Sequence, residues 1–184
     1  MADVVIVGDG PAGLSAALFL AKRGMNVDVL GLDETYMHKA LMLNYLGIGQ
    51  ITGSELMAIG REQVVKAGGR VHKVGVSAVQ RDGEGFVVTA DDGTSHAGHY
   101  LILATGTKRE FAQSLGLALD DRGGVAADRD GRTAVDGLYC VGWSVRPAKI
   151  QAIISAGDGA AAALDILSRE AGKELHDFDT VPAA

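Results

Sequence analysis

Four consecutive apolar residues, Val4-Val5-Ile6-Val7, start the hydrophobic pattern of the chain. Their lack of alternation with polar residues is the pattern of a strand covered on both faces in a parallel sheet. A glycine turn and a helical segment ending at Gly24 follow, then a second strand at Val27, Val29 and Leu30. Thr35 to Gly53 reads as a structured loop. A helix is predicted from a Ser54 cap, with Glu55 in its first turn, to about Lys66, stopping at Gly68-Gly69. A strand is expected from Arg70 to Val79. It leads into a hairpin with arms Val74 to Gln80 and Gly85 to Ala90 around Gly83, and Asp92-Gly93 marks another tight turn. Tyr100 to Ala104 is a further buried strand, Gly137 to Gly142 a short one, and Gln151 to Arg169 an alanine- and glycine-rich helix after a break at Pro147. This order predicts an α/β fold, a doubly wound parallel sheet with a small three-stranded antiparallel appendage, in one domain over residues 1–172 with a frayed tail over 173–184.

Composition narrows the classes of function. A chain of 184 residues with 47% hydrophobic content supports one domain with a full core. No apolar run is long enough to span a bilayer, and the first residues show no basic start or cleavage pattern, so a soluble cytoplasmic protein is expected. The net charge of −6, with no Lys/Arg cluster, argues against a nucleic-acid or anionic-membrane surface. One cysteine excludes an internal disulfide and a CxxC pair.

The candidate chemistry is concentrated at the ends of the predicted strands. Gly8, Gly10 and Gly13 follow the first strand at G-x-G-x-x-G spacing. The first permits the sharp turn, the second lets backbone approach a pyrophosphate, and the third lets the helix pack close to the strand. Pro11 suits a first helical turn because it has no N–H to orphan. The N–H groups exposed there, with the helix dipole, make a diphosphate site without a basic side chain. An acidic residue at the end of the second strand would bond the ribose hydroxyls. Leu30 and Gly31 cannot do so and Asp28 lies within the strand, which leaves Asp33 as the preferred candidate and Glu34 beside it. Ala104-Thr105-Gly106 ends the later strand in small residues that let a bulky ligand lie against the sheet edge. Cys140, within an apolar strand, reads as a buried structural thiol. His72, His96, His99 and His176 lack ligand spacing and read as surface residues. His38, in the loop, is a candidate for proton transfer. Lys108 and Arg109 face a ligand or cap the strand.

Taken in order, these motifs resemble the FAD domain of the thioredoxin reductase family, among the two-dinucleotide-binding flavoproteins. The likeness is carried by GDGPAG from Gly8, Asn44 in NYLG, ITGSELM from Ile51, LILATG ending at Gly106, DGRTAVDGLYCVGW ending at Trp143, and KIQAIISAGDGAAAALDIL from Lys149. The resemblance implies FAD as cofactor, held by Gly8, Gly10, Pro11, Ala12, Gly13, Asp33, Asn44, Val76, Ala104, Thr105, Gly106, Gly142, Trp143, Gln151 and Ala152. It further implies electron transfer with a redox partner protein or a small-molecule reductant, and a homodimer. Two departures qualify this. The family carries an inserted NADPH domain with the CxxC pair after its ATG motif, and residues 107–141 are too few for one, so disulfide reduction is not implied. Trp143 stands where the family has an aspartate that bonds the ribitol chain, and an indole has a donor but no acceptor. No catalytic residue follows from the sequence. The alternatives are a non-catalytic nucleotide-binding or regulatory module and an apo dimerisation scaffold.

Overall fold

The computed structural model describes residues 1–181. Strand β1 (Ala2–Val7) leads through the glycine turn into helix α1 (Pro11–Lys22), and β2 (Val27–Gly31) returns parallel to β1. A 3-10 turn over Tyr36–Lys39 and a two-stranded antiparallel hairpin, β3 (Leu41–Met42) with β4 (Ile51–Thr52), precede α2 (Gly53–Lys66). Then come β5 (Arg70–Lys73), β6 (Val76–Asp82), β7 (Gly85–Ala90), β8 (Ser95–Leu103), the short α3 (Glu110–Ser114), β9 (Leu138–Cys140) and α4 (Ala152–Ala171).

The main sheet runs β5-β2-β1-β8-β7-β6, with β9 also paired to β8. Strands β5, β2, β1, β8 and β9 are parallel, because α1, α2 and the long connection before β9 carry the chain back across the sheet. Strand β8 is shared between two neighbours on one side. Its first half pairs antiparallel with β7, from Ser95 to Gly98, and its second half pairs parallel with β9, from Leu101 to Leu103. The β6-β7-β8 meander is therefore continuous with the parallel sheet rather than appended to it.

Two apolar layers cover the faces of the sheet. One joins Val4, Ile6, Val27, Val29 and Ile102 to Leu14, Leu20, Met57, Val64, Ala163 and Ile166 from the helices. The other joins Val5, Val7, Leu30 and Leu101 to Phe86, Val88, Ala112 and Leu117. Helix α4 lies against α1 at close range: a Cβ on Gly159 would stand 2.0 Å from the carbonyl oxygen of Ala12. This contact explains the glycine at 159, since any side chain there would force the helices apart.

Three expectations are corrected. The cap of α2 is Thr52 rather than Ser54: its hydroxyl accepts from the Glu55 N–H at 3.2 Å while the Glu55 carboxylate accepts from the Thr52 N–H at 3.0 Å, a reciprocal capping box. Arg70 to Val79 is two strands on opposite edges of the sheet. Gly75 breaks them, in close approach to Asp91, whose N–H donates to the Gly75 carbonyl at 2.9 Å. The segment after Gly172 is not frayed over its described part: Asp177 pairs with Lys22 at 2.9 Å and Arg23 at 3.0 Å, and Arg23 donates to the His176 carbonyl. Residues 182–184 of the expected tail lie outside the described residues. Among the described residues no helix is long and apolar enough to cross a membrane.

Candidate functional site

The turn between β1 and α1 is built by close backbone contacts. Gly8 has φ +111°, and a Cβ there would meet the carbonyl oxygen of Ala104 at 2.3 Å, so the turn sits directly against the carboxyl end of β8. A Cβ on Gly13 would lie 1.9 Å from the Gly8 carbonyl oxygen, which requires glycine if the helix is to begin so close to the strand. Gly10 differs from both, since a Cβ there would meet nothing within 4 Å. It is the N-cap of α1, no side chain caps that helix, and Pro11 occupies its first turn. The space at Gly10 is therefore open beside the uncapped start of α1, where helix N–H groups and dipole can stabilise an anionic group.

The last strand brings a second helix start to the same place. Gly142 follows β9 with φ +70°, and its missing side chain would contact Ala12 Cβ at 2.9 Å and Ser155 Oγ at 3.4 Å. It is thus wedged between the first turns of α1 and α4. Helix α4 also begins without a side-chain cap, at Gln151. Asn44, from the loop between β3 and β4, donates its side-chain amide to Gln151 Oε1 at 3.0 Å, joining two expected site residues far apart in the chain. Both amides are exposed, which leaves Asn44 Oδ1 and Gln151 Nε2 free as an acceptor and a donor side by side. Ala152 is buried in the first turn of α4.

Trp143 lies in the 3-10 turn that follows β9 and meets Tyr36 edge to face, with ring centroids 5.2 Å apart. Arg109 reaches the same segment, donating to the Trp143 carbonyl at 3.3 Å and to the Thr107 carbonyl at 2.6 Å. Thr105 bonds its hydroxyl to the Lys108 carbonyl, which tightens the loop after β8, and Gly106 turns it with φ +61°. Two buried polar atoms in this region have no partner: Ser144 Oγ, in a residue 1% exposed, and Arg109 Nε. Val76 stands apart from the other expected residues, half-buried at the start of β6 against the second apolar layer.

Beyond β2, Asp33 adopts φ +60° and is held from two sides. Its carboxylate is 2.7 Å from Arg61 Nη2 and 2.7 Å from His38 Nε2, and its N–H donates to Asp9 at 3.0 Å. His38 Nδ1 is 2.8 Å from Ser54 Oγ, so both its ring nitrogens are engaged within the protein. Asp9 is buried against Gly31, where a Cβ would come within 2.4 Å of its carboxyl group. Burial raises the Asp9 carboxyl above the ordinary carboxylate value, and the charge of Arg61, 3.5 Å away, offsets this only in part. Arg61 is the member of this cluster that the sequence reading missed. Its signal was present: it lies four residues after the buried Met57 and three before the buried Val64, a charged residue on the core-facing side of α2. Ser144 had no comparable signal.

Residues 2–64 and 48–157 match the family model described as pyridine nucleotide-disulphide oxidoreductase. Thioredoxin reductase from Streptomyces coelicolor is 31% identical over 99% of this chain and 56% of its own length. That from Mycolicibacterium smegmatis is 37% identical over 56% of this chain and 34% of its own length. The chain thus spans about a third to a little over half of these curated relatives. A solved thioredoxin reductase from Gloeobacter violaceus superposes with a TM-score of 0.84 at 19% identity, covering 98% of both chains, a likeness of fold.

Proposed function

The chain belongs to the pyridine nucleotide-disulphide oxidoreductase family, and from that premise we propose that it is an FAD-binding flavoprotein of thioredoxin-reductase type. In this reading it passes electrons between a separate reductant, a redox partner protein or a small molecule such as NAD(P)H, and an acceptor. The observation that carries the proposal is the meeting of two uncapped helix starts, α1 and α4, at Gly142 beside the open face of Gly10. The donors there suit a diphosphate, and the surrounding backbone is already as close as glycine permits, so the cradle fits the cofactor.

The residues divide the work. The α1 N–H groups and Gly10 would hold the diphosphate, Asp33 would take the ribose end, and the Asn44–Gln151 pair would offer an acceptor and a donor to the edge of the flavin ring. Trp143 would face the cofactor at the position where the resemblance implies an aspartate. When bound, FAD would supply reversible two-electron chemistry, and the uncapped start of α4 would stabilise negative charge near it. The sole cysteine is buried in β9, and burial pushes its thiol up to about 12, so electrons leave the protein without a thiol of this chain. That observation also favours the alternative of a non-catalytic nucleotide-binding module. A homodimer accompanies the main reading, and a monomer mass in light scattering contradicts that part of it.

The test is flavin content. Protein reconstituted with FAD and desalted is expected to be yellow with about one flavin per chain, and Gly10→Val, which puts a branched side chain into the open face, is expected to lose the flavin while keeping its circular dichroism. Equal flavin in wild type and variant contradicts the site. Anaerobic NADPH that bleaches the flavin identifies an oxidoreductase that takes free nicotinamide, and a flavin that neither NADPH nor a reduced redox partner protein bleaches identifies the module.

A further inference from the structure

Away from the carboxyl edge of the sheet, a second constellation involves three residues from separate strands. Asp28 lies on β2 three residues before Gly31, about 10 Å below the ligand edge at the usual strand rise. Its Oδ1 is 2.7 Å from His72 Nε2 on β5, and its Oδ2 is 3.5 Å from His96 Nδ1 at the start of β8. One ligating atom from each lies within 4.8 Å of the others, and the two imidazoles meet edge to face at 4.7 Å. Asp28 is buried and His96 nearly so, whereas His72 is about a third exposed. A cavity of about 510 Å³ opens beside Asp28 and His96, and Met1, Asn26, Arg70 and Ser95 also line it. Nothing in the candidate cofactor site uses these residues.

We infer that Asp28, His72 and His96 form a binding site for a divalent transition-metal ion. Two imidazole nitrogens and one carboxylate oxygen are a borderline donor set, suited to Zn²⁺, Co²⁺ or Ni²⁺ and poorly suited to Mg²⁺ or Ca²⁺, which take oxygen ligands. Three protein ligands leave a fourth position to water, and the cavity provides the path for the ion and that water. Ligands about 2.0–2.2 Å from a tetrahedral ion stand about 3.3–3.5 Å apart, so Asp28 and His72 open slightly and the third ligand closes in. Such movements fit within side-chain rotation, because the ligands come from strands of one sheet, β5 paired directly with β2 and β8 reached across β1. Arg70 is the competitor. Its Nε donates to Asp28 Oδ1 at 2.7 Å and neutralises the carboxylate in the metal-free protein. Half of its side chain is exposed, so the guanidinium can swing into solvent when an ion takes over the charge.

The test uses tag-free, chelator-washed full chain titrated with Zn²⁺ by calorimetry, with Co²⁺ as a spectroscopic probe. One saturable site per chain is expected, with visible Co²⁺ bands of tetrahedral intensity. His72→Ala and His96→Ala should each weaken binding about tenfold or more while their melting temperatures without metal stay near that of wild type. Arg70→Ala, which removes the competing cation, should tighten it. No saturable binding, or Zn²⁺ affinity unchanged in both histidine variants, overturns the inference.

Discussion

At the level of single residues, the site is defined by what glycine permits and by which charges are already paired. Gly8 and Gly13 are filled by backbone from neighbouring segments, whereas the face above Gly10 is open, and only the last can admit a ligand. Cys140 is fully buried in β9 with its thiol pushed up to about 12 by burial. We therefore expect no reaction with a thiol-specific disulfide reagent at pH 8 in the native protein and one equivalent of reaction after denaturation; rapid native labelling would contradict this. Arg61 sits between the Asp33 carboxylate and the buried Asp9. Arg61→Ala should destabilise the protein by about 1–3 kcal/mol in urea melts, because it leaves the buried Asp9 without its counter-charge, and adding Asp9→Asn should recover part of that loss. An additive double variant would show that the two groups are not coupled.

Among the elements, the most informative are those joined by a single capping or crossing contact. The capping box of α2 satisfies two orphan N–H groups, so Thr52→Ala should cost about 1 kcal/mol, and Ser54→Ala, at the position the pattern suggested, should cost much less. Helix α4 is tied to the sheet by Tyr100, on β8, whose hydroxyl donates to the Glu170 carboxylate at 2.7 Å. Burial, then this bond, raises the Tyr100 hydroxyl to about 12. The folded protein holds this proton more tightly than the unfolded chain. The resulting stability is fully present below pH 10, the unfolded value, and is lost as pH rises from there through about 12. Tyr100→Phe should lower stability at pH 8 and flatten its decline above pH 10, and a decline of unchanged steepness would assign the effect to other groups. The elements also show where local pattern suffices. Strand β1, the glycine turn and α1 were legible because each depends on neighbours in sequence. The division at Gly75 was not, since Val71, Val74 and Val76 keep an apolar rhythm through the break, and only the approach of Asp91 and the pairing of β5 with β2 and of β6 with β7 reveal it. Ser54 was mistaken for the cap because both Thr52 and Ser54 are good capping types near Glu55, and backbone geometry chooses between them.

In the whole molecule, the sheet gathers residues that no spacing connects. Asn44 and Gln151 meet because β3–β4 and the start of α4 converge on one edge, and the resemblance to a known family named both without showing that they touch. Along the chain Asp28 reads as a strand residue and His72 and His96 as unrelated surface positions, and strand order places the three together. The doubly wound sheet was legible in outline, since the alternation of apolar runs and helical segments fixes the class. The continuity of the meander with β8 was not, because a strand that serves two partners carries no mark in its own sequence. In the reading proposed above, the edge formed by Gly10, Gly142 and Trp143 receives FAD. Trp143 is the only tryptophan of the chain, so its emission has one source at that edge. The decisive measurement is titration of flavin-free protein with FAD, followed by tryptophan emission. Saturable quenching at one FAD per chain, reversed when the flavin is stripped, is the predicted result, and emission that stays flat through stoichiometric FAD would contradict it.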